Sequence, residues 1–295
     1  MKIWNVLSLG AGVQSSCLAL MAEKGQLKDS KGSIIHVDFA IFADTKGEPY
    51  KIYKWLNWLE DQLSYPVYTV SEGSLEEESL EIQYNKKTGE SYMPKYIPNF
   101  GRFPDGGIVG ALGRSCTRKF KIVPIRRKLK ELCDIKRGQK NATVNQMIGI
   151  SMDEMQRMKT SPDKWIKNTW PLVDMRMDRR ACKTWMRENG YPEPPRSACY
   201  YCPFQTDAEW KMLRDDEPDL FQKAIDFDNK VREMGKKVKK LKMELFLHRR
   251  GIALQDIDFD NDIDKGQMVM FEEGNHGEIV TVMDMQNECE GLCGV

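Results

Sequence analysis

Leu7-Ser8-Leu9-Gly10-Ala11-Gly12-Val13-Gln14-Ser15-Ser16-Cys17 joins a short apolar run to a glycine-rich turn and a run of hydroxyls. Read as strand, turn and helix start, it makes a phosphate cradle. Glycine lets backbone N–H groups come close to an anion, and a helix N-terminus adds partial positive charge. Ser8, Ser15 and Ser16 offer hydroxyl donors, and Gly10, Gly12 and Gln14 belong to the same turn. The pattern is not the Walker sequence, because no Lys-Ser or Lys-Thr follows, nor is it Gly-x-Gly-x-x-Gly. A tight strand-to-helix turn without a ligand has the same appearance.

Thiols form the second set. In Arg114-Ser115-Cys116-Thr117-Arg118-Lys119-Phe120-Lys121, a cysteine stands among cations. Such surroundings favour the thiolate and create an anion site; a solvated basic helix face reads the same way. Lys121 is the candidate catalytic cation of this run. Cys199-Tyr200-Tyr201-Cys202 is a redox pair, half a zinc site or half an iron–sulfur site. Near the C-terminus, Cys289 and Cys293 stand four apart. They read as a dithiol couple, as metal ligands or as incidental thiols of a chain end. Cys17 and Cys133 lie in apolar helical settings and read as small buried residues.

Carboxylates complete the inventory. Asp44-Thr45 follows an apolar run and serves either as a nucleotide contact or as a helix cap. Asp153-Glu154 with Arg157 follows another; a local helix cap with a salt bridge looks the same as a phosphate-facing segment. His36, His248 and His276 are not grouped with other functional residues, and none is assigned a role.

The elements that must position these groups alternate in the first third. Strands are predicted at Lys2–Leu9, Ile34–Phe42 and Val67–Val70, with helices at Ser15–Glu23 and Tyr50–Leu63. Ile52, Trp55, Leu56 and Leu59 share one face of the second helix. This order implies a doubly wound parallel α/β sheet, whose ligands sit beyond the carboxyl ends of the strands. Residues 71–113 are polar and weakly periodic and read as a long loop or lid. A basic helix is predicted over 118–133, a strand over Thr143–Ile150 and a helix over Asp178–Asn189 ended by Gly190. Residues 207–245 read as helical, and those after 255 as irregular. Two domains are expected: a nucleotide-binding α/β domain over 1–175, and a helical, cysteine-containing C-terminal region over 176–295.

With 30% charged residues but a net charge of +1, the whole surface is not a nucleic-acid footprint. The basic segments 114–140 and 230–250 still offer phosphate contacts to a nucleic acid. The N-terminal apolar run of about six residues is too short for a secretory signal, and no stretch approaches the ~20 apolar residues of a membrane span. A cytoplasmic protein without a membrane is expected. Eight cysteines in that compartment point to metal or redox chemistry rather than a disulfide framework.

The glycine turn resembles the PP-loop of the adenine nucleotide α-hydrolase superfamily, Ser-Gly-Gly-x-Asp-Ser, with Gly12 and Ser15 at the second glycine and the final serine. Gln14 stands in place of the aspartate, as in the branch of phosphoadenylyl-sulfate (PAPS) and adenylyl-sulfate (APS) reductases. Asp44-Thr45-Lys46-Gly47 is similar to that superfamily's Asp-Thr-Gly. Cys116-Thr117 with Lys121 and Pro124 resembles the sulfurtransferase-like member of the DNA phosphorothioation system, and Glu288-Cys289-Glu290-Gly291-Leu292-Cys293 resembles a reductase tail. The chain is thus similar to PAPS-reductase-like PP-loop proteins, with the segment around Cys199 resembling a bacteriophage branch. The resemblance implies a HUP-type fold and an adenine nucleotide (ATP, APS or PAPS) on Ser8, Gly10, Gly12, Gln14, Ser15, Ser16, Asp44, Thr45, Arg118, Lys119, Asp153 and Arg157. It also implies a four-iron (4Fe-4S) cluster on Cys116, Cys182, Cys199 and Cys202, with zinc as the alternative, and attack on sulfur by Cys289 or Cys293. Two activities follow from it: reduction of a sulfonucleotide, served by an electron-donor protein, or ATP-dependent thiolation of a nucleobase or DNA, served by a sulfur donor. A non-catalytic nucleotide-binding protein with a zinc staple is the third reading.

Overall fold

The computed structural model describes residues 2–238 and 241–260. The chain begins with β1 (Trp4–Leu9), α1 (Val13–Glu23), β2 (Phe39–Ala43), α2 (Tyr50–Asp61) and β3 (Val67–Val70). There follow α3 (Leu75–Ser79) and four short strands: β4 (Gln83–Tyr84), β5 (Ser91–Tyr92), β6 (Asn99–Arg102) and β7 (Ile108–Leu112). A π-helical turn, Thr117–Ile122, runs into α4 (Val123–Leu132). Next come β8 (Val144–Ile148), a 3-10 turn (Met152–Arg157), β9 (Ile166–Thr169), α5 (Pro171–Asp174) and α6 (Arg179–Glu188). The last described elements are α7 (Asp207–Asp216), α8 (Pro218–Lys237), β10 (Glu244–Phe246) and a 3-10 turn at Leu254–Asp256.

Contacts group these elements into two units, each drawn from two segments. Unit 1 holds residues 2–72 and 117–197, and unit 2 holds residues 73–116 and 198–260. The division therefore does not follow the contiguous 1–175 and 176–295 partition expected from sequence.

Unit 1 is a five-stranded parallel sheet in the order β3-β2-β1-β8-β9. Both faces are covered, so the central strands read as continuous apolar runs. In β2 all five residues of Phe-Ala-Ile-Phe-Ala are buried. Successive side chains point to opposite faces. Leu7, Leu9, Ala40 and Phe42 pack under α1, α2 and α6. Val6, Phe39, Ile41 and Ala43 meet Ile125 and Leu129 of α4 on the other face. This is the doubly wound α/β class expected from the strand–helix alternation. In α2 the buried set is Ile52, Trp55, Leu56 and Leu59, the face read from the sequence.

Helix ends in this unit follow local chemistry. Asp178 caps α6 by accepting from the Ala181 N–H at 2.6 Å. The helix stops at Gly190 (φ +74°), where the Gly190 N–H donates to Arg187 O and the Tyr191 N–H to Met186 O. That pair of bonds satisfies the last carbonyls and needs a left-handed residue, which glycine supplies without strain. At the second position of α4, Pro124 lacks an N–H and its ring would crowd the carbonyl four residues back. The wider π-helical turn that precedes it accommodates both defects. The basic helix predicted over 118–133 is accordingly π-helical up to Ile122 and α-helical from Val123.

Unit 2 corrects two expectations. Residues 71–113 are not a structureless loop: they hold α3, the β4–β5 hairpin, and β6 and β7. The last two strands join β10 in an antiparallel sheet of order β10-β6-β7. The strands are too short to show periodicity, and the partner of β6 comes from far along the chain. Residues 207–245 are helical as expected only as far as Lys237. Pro218 divides α7 from α8, and residues 244–246 form β10. β9, Ile-Lys-Asn-Thr, was not foreseen because it has one apolar residue and pairs only through β8.

The Asp178 cap yields a prediction. Asp178→Ala removes the acceptor from the first turn of α6, and unfolding in urea should show a loss of about 1 kcal/mol.

Candidate functional site

In unit 1 the chain leaves β1 toward β2 and β3 on one side and later returns as β8 on the other. The strand order therefore reverses between β1 and β8. In open α/β sheets a crevice opens at such a point, beyond the carboxyl ends of the strands. Two turns end there: Gly10-Ala11-Gly12 after β1, and Gly149-Ile150-Ser151 after β8.

The first turn is tight. Ala11 adopts φ 58°, a left-handed conformation uncommon for a residue with a side chain, and it is fully buried. Gly12 is the N-cap of α1, with extended backbone. The Gly10 N–H donates to Ser15 Oγ at 3.1 Å, and Ser15 Oγ donates to Gly12 O at 3.3 Å. Ser15 thus holds the shape of the loop. Ser16 Oγ accepts from Trp55 Nε1 at 2.9 Å, and Ser8 Oγ accepts from Gln146 Nε2 at 2.6 Å. All three hydroxyls expected to serve an anion are buried and engaged inside the unit. The N–H groups of the first turn of α1 have no acceptor within the helix by its geometry, so backbone rather than hydroxyl forms the principal anion-binding capacity.

The second turn closes against the first. A Cβ on Gly149 would lie 2.8 Å from Ser15 N and 3.1 Å from Ser15 Cα. Only glycine permits this approach of β8 to the start of α1. Gln14 is fully buried, and its Nε2 reaches Ser151 Oγ at 3.4 Å. Its Oε1 is buried with no hydrogen-bond partner among the described residues, an unsatisfied acceptor at the crevice. Gly149, Ser151, Gln146 and Trp55 were missed in the sequence. Each lies far from the glycine turn along the chain and carries no motif of its own.

Asp44 follows β2 and is 4% exposed. Its Oδ1 accepts from the Lys46 N–H at 2.7 Å and from Tyr53 OH at 2.9 Å, and its Oδ2 from Lys46 Nζ at 2.7 Å. Burial, and then the neighbouring Asp44 carboxylate, push the Tyr53 phenol well above its ordinary range. Neither Asp44 nor Thr45 caps α2, whose N-cap is Pro49. Asp44 instead fixes the turn that carries Thr45, which is 1% exposed, and Lys46, whose φ is 62°.

Asp153 accepts from the Arg179 N–H at 3.1 Å and so ties the turn after β8 to α6. Arg157 pairs with the buried Glu154 carboxylate. In the π-helical turn, Arg118 is exposed and Lys119 Nζ lies over the Phe120 ring at 5.2 Å. Lys121 is 5% exposed, with Nζ 3.8 Å from Glu48 Oε1; Glu48 Oε2 accepts from Ser197 Oγ at 3.5 Å.

The cysteines divide by unit. Cys182 is fully buried on α6 in the core of unit 1, hydrogen-bonded to the thiol of Cys17. That hydrogen bond and burial push the Cys182 thiol far above its usual range. In unit 2 the Cys116 N–H donates to Tyr96 O at 3.0 Å, and Cys199 and Cys202 bracket a tight turn. Cys289 and Cys293 lie outside the described residues. None of the six described cysteines forms a disulfide. Among the described residues no three His, Cys, Asp or Glu side chains are grouped to hold a metal. Of the expected donors, Cys182 is committed to a core contact in unit 1, while Cys116, Cys199 and Cys202 belong to unit 2.

His248, unassigned from sequence, is 1% exposed in unit 2, with Nε2 3.0 Å from Asp207 Oδ1. Its Nδ1 accepts from the Arg250 N–H at 3.3 Å, so Nε2 carries the proton that points at Asp207. Burial raises the Asp207 pKa, but His248 together with Arg249, 2.8 Å away, holds it below the ordinary carboxylate range.

No family model and no curated protein matches this chain. Among solved structures it is similar to phosphoadenylyl-sulfate (PAPS) reductase from Candida auris in a phosphate complex, with 16% identity and a TM-score of 0.39. The match covers 66% of this chain and 75% of that one. Among the described residues no helix is long and apolar enough to cross a membrane.

Two outcomes are expected. Gly149→Ala should destabilise the protein by about 1–3 kcal/mol in chemical denaturation, the cost of overpacking a tight contact. Burial and the nearby Asp38 push the Cys133 thiol up to about 11. At pH 8 only about one Cys133 in a thousand is then thiolate, and alkylation mapped by mass spectrometry should leave Cys133 unmodified.

Proposed function

We propose that this chain is a PAPS-reductase-like enzyme that binds a sulfonucleotide by its phosphates at the β1/β8 crevice and reduces its sulfur. The observation that supports the reading is the strand-order reversal between β1 and β8, at which the glycine turn opens α1. The resemblance of that turn to the PP-loop, with Gln14 in the aspartate position, narrows the ligand to an adenine nucleotide. Gly10, Gly12 and the first turn of α1 receive the phosphates through backbone N–H groups. Ser8, Ser15, Ser16, Asp44 and Asp153 act mainly by holding the walls of the crevice. Thr45, Arg118, Lys119 and Arg157 complete the nucleotide contacts.

In the chemical step a thiolate of Cys289 attacks the sulfonate sulfur. The sulfur–oxygen bond to the nucleotide breaks, the adenosine phosphate leaves with that electron pair, and a cysteine S-sulfonate forms. A second thiolate, Cys293, attacks the Cys289 sulfur; sulfite departs and a disulfide remains. Lys121 offsets the charge developing on the leaving phosphate. A dithiol restores the enzyme for the next turnover. No iron–sulfur step enters this sequence.

The test is anaerobic incubation with adenylyl sulfate or its 3′-phosphorylated form and excess dithiothreitol. Sulfite should be released by the wild type and not by Cys289→Ser, with nucleotide binding retained in that variant. Pyrophosphate exchange with ATP and no sulfite would overturn the reading in favour of an adenylating sulfurtransferase. Absence of binding by any adenine nucleotide would overturn it outright.

A further inference from the structure

In unit 2 the Cys202 N–H donates to Cys199 O at 2.9 Å, closing a four-residue turn with Tyr200 and Tyr201 at its centre. Such a turn holds its end Cα atoms within about 7 Å. Disulfides bridge Cα atoms about 4.4–6.8 Å apart. The turn is also braced. Gln205 Nε2 donates to Tyr200 O at 2.9 Å and to Cys199 O at 3.4 Å. Tyr200 donates to the Glu76 carboxylate, and the Tyr201 ring packs on Phe227 with centroids 5.1 Å apart. Pro203 restricts the backbone immediately after the second cysteine. The span between the two cysteines is therefore set by the fold.

From this geometry we propose that Cys199 and Cys202 form a reversible two-electron thiol–disulfide couple whose exchange partner is another dithiol or disulfide. Cys202 is half-buried and Cys199 is 9% exposed, so Cys202 meets the partner first. Its thiolate attacks a disulfide R–S–S–R, forming Cys202–S–S–R and releasing one RS⁻. The Cys199 thiolate then attacks the Cys202 sulfur and expels the second RS⁻. Two cysteine thiols are oxidised, two partner sulfurs are reduced, and the two thiol protons pass to the released thiolates. The reverse sequence reduces the couple. Neither step involves a nucleotide, so the couple stands apart from the function proposed above.

The experiment uses the full chain, purified anaerobically and equilibrated in mixtures of reduced and oxidised dithiothreitol. Alkylation and peptide mapping then follow each thiol of the wild type. The peptide holding both cysteines should lose two hydrogens in one two-electron transition. With oxidised glutathione, Cys199→Ser should stop as a mixed disulfide on Cys202. Mapping on the wild type keeps the result independent of how well that variant folds. The proposal is overturned if both thiols stay alkylatable at every potential while the protein remains folded. It is equally overturned if both are protected in the reduced protein by stoichiometric zinc or iron and become reactive only after chelation.

Discussion

The end of β8 touches the backbone at the start of α1, and unit 1 is arranged around that contact. Gly149 follows β8 at the level where β1 gives way to the glycine turn, and its missing Cβ leaves room for Ser15 N. Because interiors pack as tightly as organic crystals, no neighbour can yield far enough to admit a methyl group. The close approach brings Ser151 to Gln14. The parallel register of β1 with β2 and β8 carries the same alignment across the sheet.

Around the contact, polar side chains are spent on rigidity. Ser8 is held by Gln146, Ser16 by Trp55, and Asp44 by Tyr53 and Lys46. Each bond links two elements, so β1 is tied to β8, α1 to α2, and the β2 turn to α2. A buried hydroxyl or carboxylate without a partner would be costly, and these are satisfied. Gln14 is the departure from that pattern, since half of its amide is satisfied within the protein and half is left over. A ligand donor reaching Oε1 would remove that deficit.

Sulfur is handled in two ways. Cys17 and Cys182 behave as apolar core residues that share a hydrogen bond, and burial with that bond pushes the Cys182 thiol up. Cys199 and Cys202 bracket a braced turn in unit 2, with Cys199 buried and Cys202 half-buried.

Much of unit 1 was legible in the sequence. Apolar runs long enough to cross a sheet, the face shared by Ile52, Trp55, Leu56 and Leu59, the Asp178 cap and the Gly190 stop are local signals, and each appears where its residues put it. The glycine turn was legible for the same reason, because backbone freedom and helix polarity are properties of a few adjacent residues. The placement of Cys182 was not. A cysteine on a helix reads alike whether it faces a metal or a core, and only packing against Cys17 distinguishes the two. The three-stranded sheet of unit 2 was equally hidden, since β10 completes it from a distant segment. The sequence by itself determined the main strands and helices of unit 1 and the glycine turn, because those depend on neighbours along the chain. Tertiary structure alone decided the role of Gly149, the inward engagement of the serines and the fate of each thiol. Those depend on which distant backbone comes within a few ångströms.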